Sequence, residues 1–174
     1  RSHHRSPSGL GIMSGRVWKF GDDVNTDVLA PGIYIKLPLE ELASHCLETI
    51  TPNFANEVRE GDFVVGGKNF GIGSSREQAA QVLKALGVAA VIAPSFGGIF
   101  YRNAFNLGLP AIVLDTIDQI DDKHELEIDL KTSGIKNVST GHDLTGEAIP
   151  ENLLALVEAG GLVPFLEHKL GKNG

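Results

Sequence analysis

The chain has 174 residues, 42% of them apolar, with a mean hydropathy of +0.02, which suits a self-sufficient core and excludes a disordered or membrane-embedded composition. Its 15 basic and 22 acidic residues leave a net charge of −7, which argues against a nucleic-acid surface. No apolar run has the length of a bilayer span, and the lone Cys46 excludes an internal disulfide and falls short of the several thiolates an iron–sulfur cluster requires.

Residues 1–12 read as an expression-tag remnant, with Met13 as the natural start and a single domain over 13–174. No apolar core follows the first basic residues, so no secretory signal is expected, and a reducing cytoplasm is the simplest location. Gly15 to Phe20 alternates apolar with polar residues and predicts a first strand. In the turn that follows, Asp23, Asn25 and Asp27 fit the opening of a calcium loop. The glycine due next is Val28 and the closing glutamate is Tyr34, so a calcium site is not expected. Val28 to Lys36 is apolar and broken by Pro31-Gly32; Pro38 to Cys46 predicts a short helix with proline in its first turn. His45 reads as a helix-surface or C-terminal-turn residue and not a ligand, because no second His or Cys lies at ligand spacing. Thr51 to Glu60 reads as a polar, irregular surface connection or flap.

Phe63-Val64-Val65 predicts a buried strand, and apolar residues at 79, 82, 83 and 86 predict a helix. Between them runs Gly66-Gly67-Lys68-Asn69-Phe70-Gly71-Ile72-Gly73-Ser74-Ser75-Arg76-Glu77. Ser74 and Glu77 fit the S-x-x-E capping box. Glycines let the main chain approach a ligand closely, helix-start amides favour an anion, and Arg76 adds a fork of donors suited to a carboxylate. A Walker loop fails, since Gly67-Lys68 is followed by Asn69 and position 62 is Asp. A dinucleotide fingerprint fails where Arg76 replaces the third glycine. A small-anion site and a plain helix cap both remain open on these residues.

Ala89 to Ala93 and Ala111 to Leu114 predict further buried strands, with a helix over Ile99 to Leu107 between them. That alternation predicts parallel pairing through helical crossovers. Beyond Asp115 the texture changes: Glu125 to Leu130 alternates, Ile135 to Val138 and Asp143 to Ile149 read as short strands, and Glu151 to Gly161 reads as a helix. The tail is expected to dock through Leu162, Val163 and Phe165 and then fray.

The run Gly67 to Glu77 resembles the signature of the swivelling domain of the aconitase superfamily. More closely, it is similar to the free-standing small subunits of 3-isopropylmalate dehydratase and homoaconitase. Two further stretches agree in order and spacing, Asp22 to Asp27 and Ser95 to Pro110. The resemblance implies an α/β fold with three β/β/α layers. It implies Ser74 as the base, Arg76 and Ser75 on the substrate carboxylate beside the Gly73 backbone, and Asp27 in the composite active site. Tyr34 and Lys36 would help set substrate choice, an aliphatic third residue suiting a branched alkyl group and a basic one a further carboxylate. Asn69, Gly71 and Glu77 would shape the loop; Ser95, Arg102 and Asn103 would cap or tether it. Gly98 stands where many relatives carry a larger residue.

The same resemblance implies a small dicarboxylic hydroxyacid isomerised by dehydration and rehydration. It places no metal in this chain and a [4Fe–4S] cluster in a large partner subunit, so the chain alone would be inactive. The alternatives are homoaconitase, a dialkylmalate dehydratase, a small-anion binding module, and a single-chain hydrolase. The last lacks a G-x-S-x-G elbow.

Overall fold

A computed structural model describes residues 10–173; the tag reading of the first nine residues lies outside them. Seven strands form one sheet in the order β4-β3-β2-β1-β5-β6-β7. The strands β1 (Met13–Lys19), β2 (Phe63–Val65), β3 (Ala90–Ala93) and β4 (Ala111–Val113) are mutually parallel. Antiparallel pairing continues through β5 (Glu125–Asp129), β6 (Gly134–Asn137) and β7 (Asp143–Thr145). The central β1 serves both halves: Met13 to Arg16 pair with β5, whereas Val17 to Lys19 pair with β2.

Period-two alternation sorts the side chains into two cores. Trp18, Val64, Val91 and Ala93 join a core built with the helical segments α1 (Thr26–Leu29), α2 (Leu39–Ala43), α3 (Phe54–Glu57) and α4 (Gln78–Ala85). Val17, Phe63, Val65, Ala90 and Ile92 join a second core with Leu126, Ile128 and Ile135 from the antiparallel strands. Helices, parallel strands and antiparallel strands therefore stack as the expected β/β/α layers. Leu10, inside the stretch set apart as a tag, is buried in the second core at 7% exposure, so packing reaches back past Met13.

Three expectations change. The Thr51–Glu60 connection is no flap: it holds α3, whose Phe54 is fully buried, edge-on to Trp18 at 5.2 Å and to Phe20 at 5.6 Å. Residues 147–149 leave the ladder: the Gly146 amide still donates to Ser133 O in register, but the Glu147 amide turns to Val113 O, so β7 ends at Thr145. The tail does not fray after Phe165 but forms α7 (Leu162–Asn173), following α6 (Glu151–Ala159). Only Phe165 of the three docking residues packs on the second core, while Val163 is 65% exposed.

Phe54→Ala removes a side chain that two rings enclose. It is expected to destabilise the fold by about 3–5 kcal/mol, read as a lower urea midpoint at unchanged m-value.

Candidate functional site

The loops that leave the C-terminal ends of β1, β2 and β3 meet on one edge, where ligands gather in open α/β sheets. Main-chain bonds stitch them together. Gly67 N donates to Gly21 O, Gly71 N to Val24 O, Thr26 N to Ile72 O, and Phe70 N to Ser95 O. Side chains add to the seam: Asp22 Oδ1 accepts from Lys68 N at 2.8 Å, and Asp23 Oδ1 from Asn69 Nδ2 at 3.1 Å. Ser95 Oγ accepts from Asn69 N at 2.8 Å, which is the tethering expected of it. The acids of the first loop are thus used as loop ties.

Two glycines are required by this geometry. Gly71 has φ +80°, and a Cβ there would lie 2.3 Å from Phe100 Cγ. Gly73 has φ +120°, and its Cβ would meet Thr26 Oγ1 at 2.8 Å. That approach places Ser74 Oγ 3.3 Å from the hydroxyl of Thr26, a residue only 4% exposed. The Ser74–Glu77 capping box does not form. Helix α4 begins at Gln78, and Glu77 occupies the cap position in helical conformation with no side-chain cap bond. The Gly73 turn diverts Ser74 to Thr26, which leaves the serine hydroxyl at the surface of the site.

Arg76 is held from the first loop. Its Nη1 donates to Asp27 Oδ1 at 3.0 Å and to Ala30 O at 2.8 Å. Asp27 Oδ1 also accepts from Gly32 N at 2.8 Å. The Gly32 amide first, and Arg76 after it, hold this carboxyl below its ordinary range despite its exposure. A guanidinium has five N–H donors. Among the described residues only Nη1 is engaged, so Nη2 and Nε remain for a ligand. Ser74 and Ser75 are exposed beside them.

Tyr34 lies in a single 3-10 turn, Gly32–Tyr34, and its ring stacks on His45 with centroids 3.6 Å apart. Lys36 is exposed and forms no ion pair among the described residues. Arg102 and Asn103, expected to cap or tether, make no side-chain hydrogen bond among the described residues; Ser95 does that work alone. Gly98 opens α5 (Gly98–Asn106) with open space around its missing Cβ. The residues that sequence reasoning passed over are Thr26 as the partner of Ser74, and Gly32 and Ala30 as the frame of Arg76. Thr26 stands next to Asp27 in the quoted motif; the backbone groups carry no side-chain signal.

The mixed α/β fold places the chain in the aconitase C-terminal class: the model of the aconitase C-terminal domain matches residues 48–116. The 3-isopropylmalate dehydratase small subunit 1 of Thermotoga maritima is 49% identical over 90% of this chain and 95% of its own length. The isopropylmalate/citramalate isomerase small subunit of Methanocaldococcus jannaschii is 47% identical over 93% and 98%. The methanogen homoaconitase small subunit of Methanothermobacter thermautotrophicus is 49% identical over 88% and 89%. A crystal structure of 3-isopropylmalate dehydratase from M. jannaschii superposes with a TM-score of 0.88 at 44% identity, covering 94% of this chain and 99% of that one. The chain belongs to the 3-isopropylmalate dehydratase small-subunit family of the aconitase superfamily.

Proposed function

We propose that this chain is the small subunit of a hydro-lyase that interconverts 2- and 3-isopropylmalate by dehydration and rehydration, a step of leucine biosynthesis. The observation that carries the reading is the pairing, on one loop, of an uncapped Ser74 hydroxyl with an arginine whose remaining donors are free. The names and full-length coverage of the relatives support it.

The reaction requires removal of a weakly acidic C–H proton beside a carboxylate and departure of hydroxide from the adjacent carbon, which leaves an alkene and one water, followed by return of water with the hydroxyl on the carbon that lost the proton. Ser74 Oγ is the group placed to take that proton. A neutral serine is a poor base, and two features favour its ionised form. The Thr26 hydroxyl is placed to donate to the Ser74 oxygen, and the Arg76 cation lies two residues along the same loop. Nη2 and Nε of Arg76, with the Ser75 hydroxyl, hold the substrate carboxylate. Asp27 fixes the guanidinium plane.

The [4Fe–4S] cluster that the family implies does not fit this chain. Cys46 is fully buried, and burial pushes its thiol far above the ordinary range. Among the described residues, no group of three or more His, Cys, Asp or Glu side chains converges. In this reading the large subunit brings the cluster, and the assembled enzyme works in the cytoplasm.

The second reading is homoaconitase, favoured by the exposed Lys36 cation and by the homoaconitase small subunit among the relatives. Anaerobic reconstitution with the cluster-bearing large subunit separates the two, with hydration of isopropylmaleate, homoaconitate and dimethylmaleate assayed side by side. Turnover is expected only with both chains and fastest on isopropylmaleate. Preference for homoaconitate moves the assignment to the second reading. No turnover from a formed, cluster-loaded complex removes this substrate class and leaves a small-anion binding module.

A further inference from the structure

The 3-10 turn Gly32–Tyr34 carries the amide that holds Asp27, yet it has no buried residue and no side-chain cap. A turn so placed on the rim of a site needs an anchor at its other end. Tyr34 and Ile35 are partly buried and pack against the first core. The contact specific to the turn is the Tyr34 ring lying flat on the His45 imidazole, at 3.6 Å between centroids and 12° between planes.

His45 itself stands on a rigid base. Its neighbours Cys46 and Leu47 are fully buried, and Leu47 N donates to Val28 O at 3.0 Å, tying this turn to α1. Its Nδ1 lies 2.8 Å from Glu48 Oε1, which sets the rotation of the ring in its plane. Both side chains are partly exposed, at 27% and 35%, so the pair is no core element. The fold therefore supplies an oriented aromatic shelf whose one ring partner among the described residues is Tyr34.

We propose that His45, oriented by Glu48, is a positioning residue for substrate recognition: it acts through Tyr34 to hold the Gly32–Lys36 segment at the rim of the Ser74–Arg76 site. The inference rests on the reading of that site as the substrate site. Among the described residues His45 forms no hydrogen bond with Ser74 or Arg76, and it takes no part in the proton transfer. Its loss leaves the segment to sample other positions, so binding weakens while the chemistry on bound substrate proceeds.

The test uses the reconstituted two-subunit enzyme, with association and cluster content measured for every variant. His45→Ala is expected to raise KM about three- to tenfold, the range an aromatic pair is worth, with kcat changed less than twofold. His45→Phe keeps a flat ring under Tyr34 and is expected to restore most of the KM. In a Tyr34→Ala background, His45→Ala is expected to add nothing further, since the shelf then has no load. Unchanged KM in His45→Ala, a loss in kcat alone, no rescue by phenylalanine, or additive effects in the double variant each overturn the proposal. Ser74→Ala run alongside separates the two levels. Full activity in that variant removes the site reading itself. An inactive Ser74→Ala with a normal His45→Ala removes only the role of His45.

Discussion

Ser74→Ala is expected to lower kcat of the reconstituted enzyme by about 10²- to 10⁴-fold, the range for a positioned general base, with KM and subunit association near wild type. The reasoning starts from what the hydroxyl does in the fold, which is little. Ser74 is exposed, caps no helix, and shares one 3.3 Å contact with Thr26. Its loss should cost no more than about 0.5 kcal/mol of stability, as for an ordinary surface change. A large fall in rate with an unchanged melting transition therefore separates chemistry from structure. Retention of more than a tenth of wild-type kcat would show that another group takes the proton. Thr26→Val, which keeps the shape and removes the hydroxyl, is the companion variant. A smaller fall in kcat is expected there, because that hydroxyl acts on Ser74 and not on substrate.

Arg76→Lys should be nearly as damaging while keeping the charge. Lysine cannot bond Asp27 and Ala30 at once and still offer two parallel donors to a carboxylate. Each charge-assisted hydrogen bond is worth about 1.5–3 kcal/mol. Loss of one or two lowers kcat/KM by roughly tenfold to 10⁴-fold. Steady-state kinetics on isopropylmaleate measures it, and a loss below threefold would mean that the carboxylate is held elsewhere. Asp27→Asn serves as the contrast. It keeps an acceptor for the Gly32 amide and for Nη1, so it should cost less than Arg76→Lys. An equal or larger loss would instead give Asp27 a direct part with substrate.

The half of the fold that alternates strand with helix was legible because burial there follows strict local periods. Phe63 to Val65, Ala90 to Ala93 and the helix after Ser74 fall within a residue or so of expectation. The misreadings have physical causes. The Ser74–Glu77 cap was plausible by spacing, but a glycine at φ +120° turns the serine away from the helix it precedes. Phe54 sits in a polar stretch with no period to mark it, yet two distant rings on β1 and the turn after it make its pocket. The motif residues at the site were readable as types. What was not readable was who holds them: Asp27 meets Arg76 and Tyr34 meets His45 only through the crossing of separate segments. Resemblance located the loop, while its wiring came only with the fold.

The sharing of β1 between two ladders has a consequence for biosynthesis. Met13 to Arg16 take their partners from β5, and Met13 itself pairs with Ile128. A ribosome that has emitted β1 through β4 has emitted every strand that pairs in the parallel half, while one flank of its first strand still lacks a neighbour. That flank stays open until the chain past residue 128 emerges, an interval in which exposed strand edges recruit other chains. The late antiparallel strands thus close the nascent sheet as a lid closes a box, and the speed of translation across residues 114–128 sets how long the edge is left bare.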